Sequence, residues 1–229
     1  TNSIRFQNVF ENPTASNDQV TIPAGFNSST TSWALSFLIY PDSNNISIDF
    51  NPCCFAQEDG TGTGRAWVIP YSSYVSGETS IFFNATYRST GFTLPLNRWS
   101  RFGLIYNQPI NTITCFLNGV AYNSFNSASS PSFVIEPANG SFLLGANRFD
   151  SYCFSGYLSM VHMWKDVVLT AEQMAGVHLR NDIPATGLHY SMPMIQTRGD
   201  GIDVKNGYNG TLSGGAAWDD TISPFPART

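Results

Sequence analysis

The stretch Ser141–Met174, SFLLGANRFDSYCFSGYLSMVHMWKDVVLTAEQM, decides how the chain folds. A short apolar run, Phe142-Leu143-Leu144, is stopped by Gly145, as a strand meeting a turn would be. A polar loop, Ala146 to Cys153, leads through Gly156 into a second run, Tyr157 to Trp164. Its apolar residues occupy both parities: Leu158, Met160 and Trp164 on one, Tyr157, Val161 and Met163 on the other. This pattern predicts a strand buried on both faces. Thr170 then stands as an N-cap ahead of a short helical turn.

The same strand-and-turn rhythm extends outward on both sides. Ser3–Phe6 alternates polar and apolar residues, and a turn at Asn17-Asp18 introduces Val20-Thr21-Ile22. In Trp33–Tyr40, the residues Trp33, Leu35, Phe37 and Ile39 share one face, with Ala34, Leu38 and Tyr40 on the other. Ile46, Ile48 and Phe50 alternate with polar residues, as a half-buried strand does. Further strands are predicted at Ala66–Ile69, Thr79–Phe83, Trp99–Tyr106 and Asn111–Leu117, with Glu58–Gly64 a loop by composition. Asn118-Gly119 is a type I′ hairpin signal. Helical periodicity is confined to residues 170–180. The residues themselves therefore predict an all-β sandwich or barrel with one short helix near 170–180. Neither a linker nor an internal repeat breaks residues 1–229, so a single domain is expected.

Charged residues make up only 12% of the chain and aromatics 14%, which excludes a disordered chain. A net charge of −5 without a basic cluster speaks against a nucleic-acid partner. No apolar run approaches the roughly 18 residues of a membrane span. Starting at Thr1 without a signal-peptide pattern, the chain is expected to be a processed form or an excised domain. Four cysteines, Cys53, Cys54, Cys115 and Cys153, allow three pairings; a bridge between the adjacent Cys53 and Cys54 would be strained, so two disulfides are expected that join these two to Cys115 and Cys153, with neither connectivity singled out. Together with the amide- and hydroxyl-rich surface they point to a secreted or surface-exposed setting. Sequons at Asn27, Asn45, Asn84, Asn139 and Asn209 carry little weight in a chain so rich in Asn, Ser and Thr.

Asn97-Arg98-Trp99-Ser100-Arg101-Phe102-Gly103-Leu104-Ile105-Tyr106, followed by Ile113 to Gly119, resembles the Trp-led strand and hairpin of the laminin-G-like and pentraxin-like group. Leu143-Leu144-Gly145 with Phe154-Ser155-Gly156-Tyr157-Leu158-Ser159-Met160-Val161, the closing Leu169–Met174, and the segment Asn206–Gly215 resemble further motifs of that group. The resemblance covers most of the chain. It implies the concanavalin A-like jelly roll, two antiparallel sheets of which one is concave and open to ligand.

That fold also hosts glycoside hydrolases and polysaccharide lyases. Retaining hydrolysis needs two carboxyls about 5 Å apart, and none of Glu11, Glu58, Glu78, Glu136 and Glu172 lies in a Glu-x-Asp-x-x-Glu strand pattern. Glu58 and Asp59, being adjacent, would face opposite ways on a strand. His162, His178 and His189 read as surface or rim residues, with His189-Tyr190 the one neighbouring pair a lyase could use. The expected function is therefore non-catalytic glycan or glycoprotein binding. The alternatives are a structural or adhesive subunit that self-associates, and a polysaccharide-degrading enzyme.

Sugar sites combine aromatic faces with planar polar groups. Asn147, Arg148, Asp150 and Tyr152 offer that mix in one loop; Glu58 and Asp59 with Trp67, Tyr71 and Tyr74 offer it in another. The resemblance also implies a structural calcium on loop oxygens. Asp200, Asp203 and Asn206, with Asp18 as a second source, are the candidate ligands, against a plainer role in Asx turns.

Overall fold

The computed structural model describes residues 3–7, 18–23, 31–43, 53–58, 65–72, 77–83, 86–126, 140–146, 153–193 and 203–219. The expected strand at Ile46–Phe50 lies outside them. Two antiparallel sheets face one another. The first runs β10 (Val120–Asn126), β9 (Thr112–Leu117), β8 (Ser100–Asn107), β3 (Trp33–Pro41), β12 (Ser155–Lys165), β1 (Ser3–Gln7) and β15 (Ala217–Asp219). In it β13 (Leu188–Met192) also pairs with β12. The second runs β14 (Thr211–Ser213), β2 (Gln19–Ile22), β11 (Phe142–Leu144), β4 (Phe55–Glu58), β5 (Arg65–Ile69), β6 (Ser80–Phe83) and β7 (Thr86–Ser89). The expected two-sheet jelly-roll sandwich is what the chain adopts.

Alternation along the strands fills the space between the layers. From the first sheet come Leu35, Phe37 and Ile39, with Phe102 and Leu104; from the second come Phe55, Phe142, Leu144, Val68 and Ile81, all buried. Phe37 links the layers, stacking on Phe102 at 5.2 Å and on Phe55 at 6.5 Å. Each such side chain contributes roughly 1.5–3 kcal/mol through burial, so these rings set the spacing of the sandwich.

In β12 the parity reading needs correction at one residue. Leu158 faces the core, but so do Val161 and Met163, while Tyr157, His162 and Trp164 turn outward. Ser159 pairs with Leu38 and His162 with Ser36, so two residues of β12 oppose one of β3. This is a bulge, and Met160 supplies it with a φ of 49°. Below the bulge β12 pairs with β1, and above it with β13.

Helix α1 (Ala171–Arg180) covers part of the outer face of the first sheet. The Gln173 N–H donates to Thr170 Oγ1 at 3.1 Å and the Thr170 N–H donates to Gln173 Oε1 at 2.8 Å, a capping box on the expected N-cap. Met174 and Val177 pack with Ala34, Ile105, Phe116, Trp164 and Leu169 into a second apolar cluster. The Trp164 indole N–H donates to the Pro184 carbonyl at 2.8 Å. The Asn118-Gly119 turn has φ of 49° and 85°, as a type I′ hairpin requires. No described helix is long and apolar enough to cross a membrane.

The expectation of two disulfides is not met in this structure: no sulfur–sulfur bond joins Cys53, Cys54, Cys115 and Cys153, all of them buried. Cys54 and Cys115 point into the core between the layers, whereas Cys53 belongs to a separate cluster with Ala56, Ile69 and Phe82. The backbones of Cys53 and Cys153 do lie side by side, as an isolated parallel bridge.

Candidate functional site

Outside helix α1, the outer face of the first sheet carries a row of large side chains on four neighbouring strands. Arg5 of β1 stands opposite Tyr157 of β12, and Tyr157 opposite Tyr40 of β3. Ile39 pairs with Ser100, which brings Tyr40 beside Trp99 at the start of β8. The Tyr40 ring lies 5.6 Å from both Trp99 and Tyr157, and Trp99 lies 6.4 Å from Tyr157. All three rings are half-buried. Arg5, 35% exposed, closes one end of the row with Nη1 at 3.4 Å from Asp219 Oδ2.

One step toward the helix, on the same face of β8, stands Arg101. It is only 4% exposed. Its backbone is clasped by the hairpin: the Arg101 N–H donates to Asn118 Oδ1 at 2.8 Å and the Asn118 N–H donates to the Arg101 carbonyl at 2.9 Å. The guanidinium Nη2 reaches Met160 Sδ at 3.4 Å and Asn181 Oδ1, at the helix C-cap, at 3.5 Å. It therefore crosses β3 from β8 toward the bulge. Burial lowers its pKa to about 10, and it remains a cation at neutral pH.

The next row is His162, Ser36 and Gly103, in register across β12, β3 and β8. The reading of His162 as a surface residue is wrong, because the Met160 bulge turns it beneath neighbouring elements, and it is 2% exposed. Its Nδ1 sits 3.0 Å from Ser191 Oγ on β13. His178, also expected at the rim, reaches inward from α1 and accepts the Gly119 N–H on Nδ1 at 2.8 Å. Desolvation first, and the Arg101 charge second, lower both imidazoles to about 3, so both are neutral at physiological pH. A buried His–Ser pair whose other imidazole nitrogen meets no acid is not a nucleophile relay.

The loop holding Asn147, Arg148, Asp150 and Tyr152 lies outside the described residues, but its two ends are held together. The Gly145 N–H donates to the Cys54 carbonyl at 3.1 Å and the Phe154 N–H donates to the Gly145 carbonyl at 2.8 Å. The second grouping is spread along the β4–β5 pair. Glu58 pairs with Arg65 at one end and Trp67 occupies the register position between Ala56 and Phe82. Tyr71 follows β5 at the opposite end, roughly 20 Å away along the strand direction. Its hydroxyl donates to the Leu94 carbonyl, and burial raises it to about 12. Asp59 and Tyr74 lie outside the described residues.

Asp203 accepts four backbone N–H groups, from Ser191 and Lys205 on Oδ1 and from Asn206 and Tyr208 on Oδ2. Asn206 donates its side-chain amide to the His189 carbonyl at 2.7 Å. Asp18 accepts from the Gln7 N–H at 2.7 Å and from the Gly215 N–H. These carboxylates organise loops as Asx turns do, and with both its oxygens engaged by backbone N–H groups Asp203 does not fit as a calcium ligand. Asp200 lies outside the described residues. Among the described residues no cluster of three or more His, Cys, Asp or Glu side chains is set to hold a metal.

The sequence places Trp99 only at the head of a strand and gives Arg101 no part in a site. The available signal was parity: Trp99 and Arg101 alternate with Ser100, Phe102 and Leu104, and Tyr40 lies on the outer face of β3.

Comparison with solved structures returns the same architecture. A candidate carbohydrate-binding protein of Bacteroides ovatus superposes with a TM-score of 0.69 at 20% identity, over 100% of this chain and 62% of that one. The chain thus spans less than two thirds of that neighbour. The heptameric SAP-like pentraxin of Limulus polyphemus gives 0.64 at 15% identity, covering 95% of this chain and 94% of its own. Domain 4 of the extracellular arabinanase AbnA of Geobacillus stearothermophilus, solved with arabinotriose, gives 0.52 at 14% identity, over 77% and 87%. At these identities the likeness is one of fold. Comparison with curated proteins returns no match. A family model described as the concanavalin A-like lectin/glucanases superfamily matches residues 14–175, and the chain belongs to that superfamily.

Proposed function

We propose that this protein is a non-catalytic carbohydrate-binding domain that seats a glycan on the outer face of its helix-bearing sheet. The observation that carries the reading is the row Tyr157–Tyr40–Trp99, three half-buried rings within 6.4 Å of one another. Rings offer apolar surface for the C–H face of a pyranose, and Arg5 at one end of the row offers a donor for its hydroxyls. The arabinotriose complex of the arabinanase domain supports the idea that a sandwich of this kind is used for binding. An extracellular setting suits the low charge and polar surface.

A glycan array read with the wild type, Trp99→Ala and Tyr40→Ala tests it. Retention of a sugar by the wild type, lost in both variants while their thermal unfolding stays cooperative, supports the reading. No retention, combined with a large ordered oligomer in sedimentation, overturns it in favour of an assembly subunit. Release of reducing ends from a polysaccharide overturns it in favour of an enzyme.

A further inference from the structure

We propose that Arg101, His178 and Ser36 form a receptor for one compact anion, a carboxylate or a halide, between helix α1 and the outer face of the first sheet. Arg101 is 96% buried, yet its Nε and Nη1 meet no acceptor, and its Nη2 meets only a thioether and an amide oxygen. The ion pairs among the described residues join Arg5 to Asp219, Lys165 to Asp166 and Arg180 to Asp182, leaving Arg101 without an acid. Buried charges in proteins are paired, because an isolated ion withdrawn from water loses far more solvation than packing returns.

Several of the buried polar atoms without partners belong to this part of the sheet, and they are mostly donors. Ser36 Oγ, His162 Nε2 and His178 Nε2 are buried without partners, as are the two Arg101 nitrogens. Ser36 is flanked in register by Gly103 and His162, and the His178 ring rests on Gly103. Because His178 Nδ1 accepts the Gly119 N–H, its neutral ring carries its proton on Nε2 and donates there. A cluster of N–H and O–H donors around a fixed cation repels metal ions. Water would satisfy its hydrogen bonds but leave its charge unbalanced, whereas an anion does both.

The anion has two sources. It is either a free ion of the medium or the carboxylate of an acidic sugar lying on the aromatic row, since Trp99 precedes Arg101 by two residues on the same face. The second source rests on the carbohydrate-binding reading; the first does not. The test measures thermal unfolding at constant ionic strength while bromide or acetate replaces a bulky anion, for the wild type and for Arg101→Met. Wild-type crystals soaked in bromide are examined by anomalous diffraction, which needs no variant to fold. A Tm rise of a few degrees in the wild type, absent in Arg101→Met, with anomalous density between Arg101 and His178, is expected. An absent shift, an equal shift in both proteins, or density for water alone overturns the proposal. Glucuronate-bearing and neutral oligosaccharides then separate the sources. Loss of the acidic ligand alone in Arg101→Met assigns the anion to the glycan, and equal binding of both oligosaccharides by both proteins assigns it to the medium. Trp99→Ala removes glycan binding but not the bromide response, so failure of the carbohydrate reading is distinguishable from failure of the anion site.

Discussion

The imidazole of His178 rests on the bare backbone of Gly103: a methyl group at Gly103 would come within 2.7 Å of both Nε2 and Cε1 of that ring. Glycine here is a matter of space, not of backbone freedom, because it lets a helix side chain dock on the middle of a strand. Gly103→Ala is therefore expected to push His178 off β8 and loosen α1. The cost should be about 1–3 kcal/mol, the usual range for overpacking. Urea unfolding measures it, and an unchanged midpoint would show that the helix docks without this contact.

The two neutral imidazoles make stability depend on pH in a defined direction. His162 and His178 fall from 6.5 to about 3 in the folded chain, so between those values the unfolded state binds more protons. Their contribution is complete above pH 6.5 and is lost as pH drops toward 3. The groups facing them are Arg101, whose charge opposes protonation of both, and the uncharged Ser191 and Gly119 N–H. For His162 alone, lowering the pH from 6.5 to 5 should cost on the order of 2 kcal/mol. Chemical denaturation at both pH values measures the loss, and His162→Gln should remove the His162 share of it while the His178 share remains.

Asp203 supplies a different kind of stability. Its carboxylate gathers N–H groups from Ser191, Lys205, Asn206 and Tyr208, tying the segment after β13 back onto that strand. Asp203→Asn keeps the shape but removes the charge and one acceptor oxygen. It should destabilise by about 2 kcal/mol, to the same extent in calcium and in EDTA. A loss seen only with calcium would return Asp203 to the role of metal ligand.

The fold was legible because alternation reports directly on burial. Trp33–Tyr40 divides into core and outer faces as its sequence divides, and Asn118-Gly119 marks its hairpin without help from distant residues. The site was less legible for two physical reasons. A single residue, Met160, shifts the phase of β12, and the left-handed conformation it adopts leaves no mark in a run of apolar residues. Periodicity therefore could not place His162. The second reason is that Tyr157, Tyr40, Trp99 and Arg101 come from three strands far apart in the chain, and only the register of the sheet makes them neighbours. Local composition favours loops such as Asn147–Tyr152, where amide, guanidinium, carboxylate and ring stand side by side in sequence.

The cysteines should separate into two classes. Cys54 and Cys115 are sealed in the core, and burial raises both thiols well above their usual range, so the thiolate needed for exchange is scarce. Cys53 and Cys153 are backbone neighbours at the two sides of a parallel bridge, a separation within the Cα range a disulfide spans. Refolding in a glutathione redox buffer should therefore link Cys53 to Cys153. Glutathione disulfide accepts the two electrons, and the mass of the protein falls by two hydrogens. The double variant Cys54→Ser, Cys115→Ser should form the same bond, and Cys153→Ser should form none. Closing so long a loop is expected to add roughly 2–4 kcal/mol to stability, lost on reduction. Fragment spectra linking Cys54 or Cys115 to Cys153 would instead mean that the bridge seen in the backbone does not guide the chemistry of the thiols.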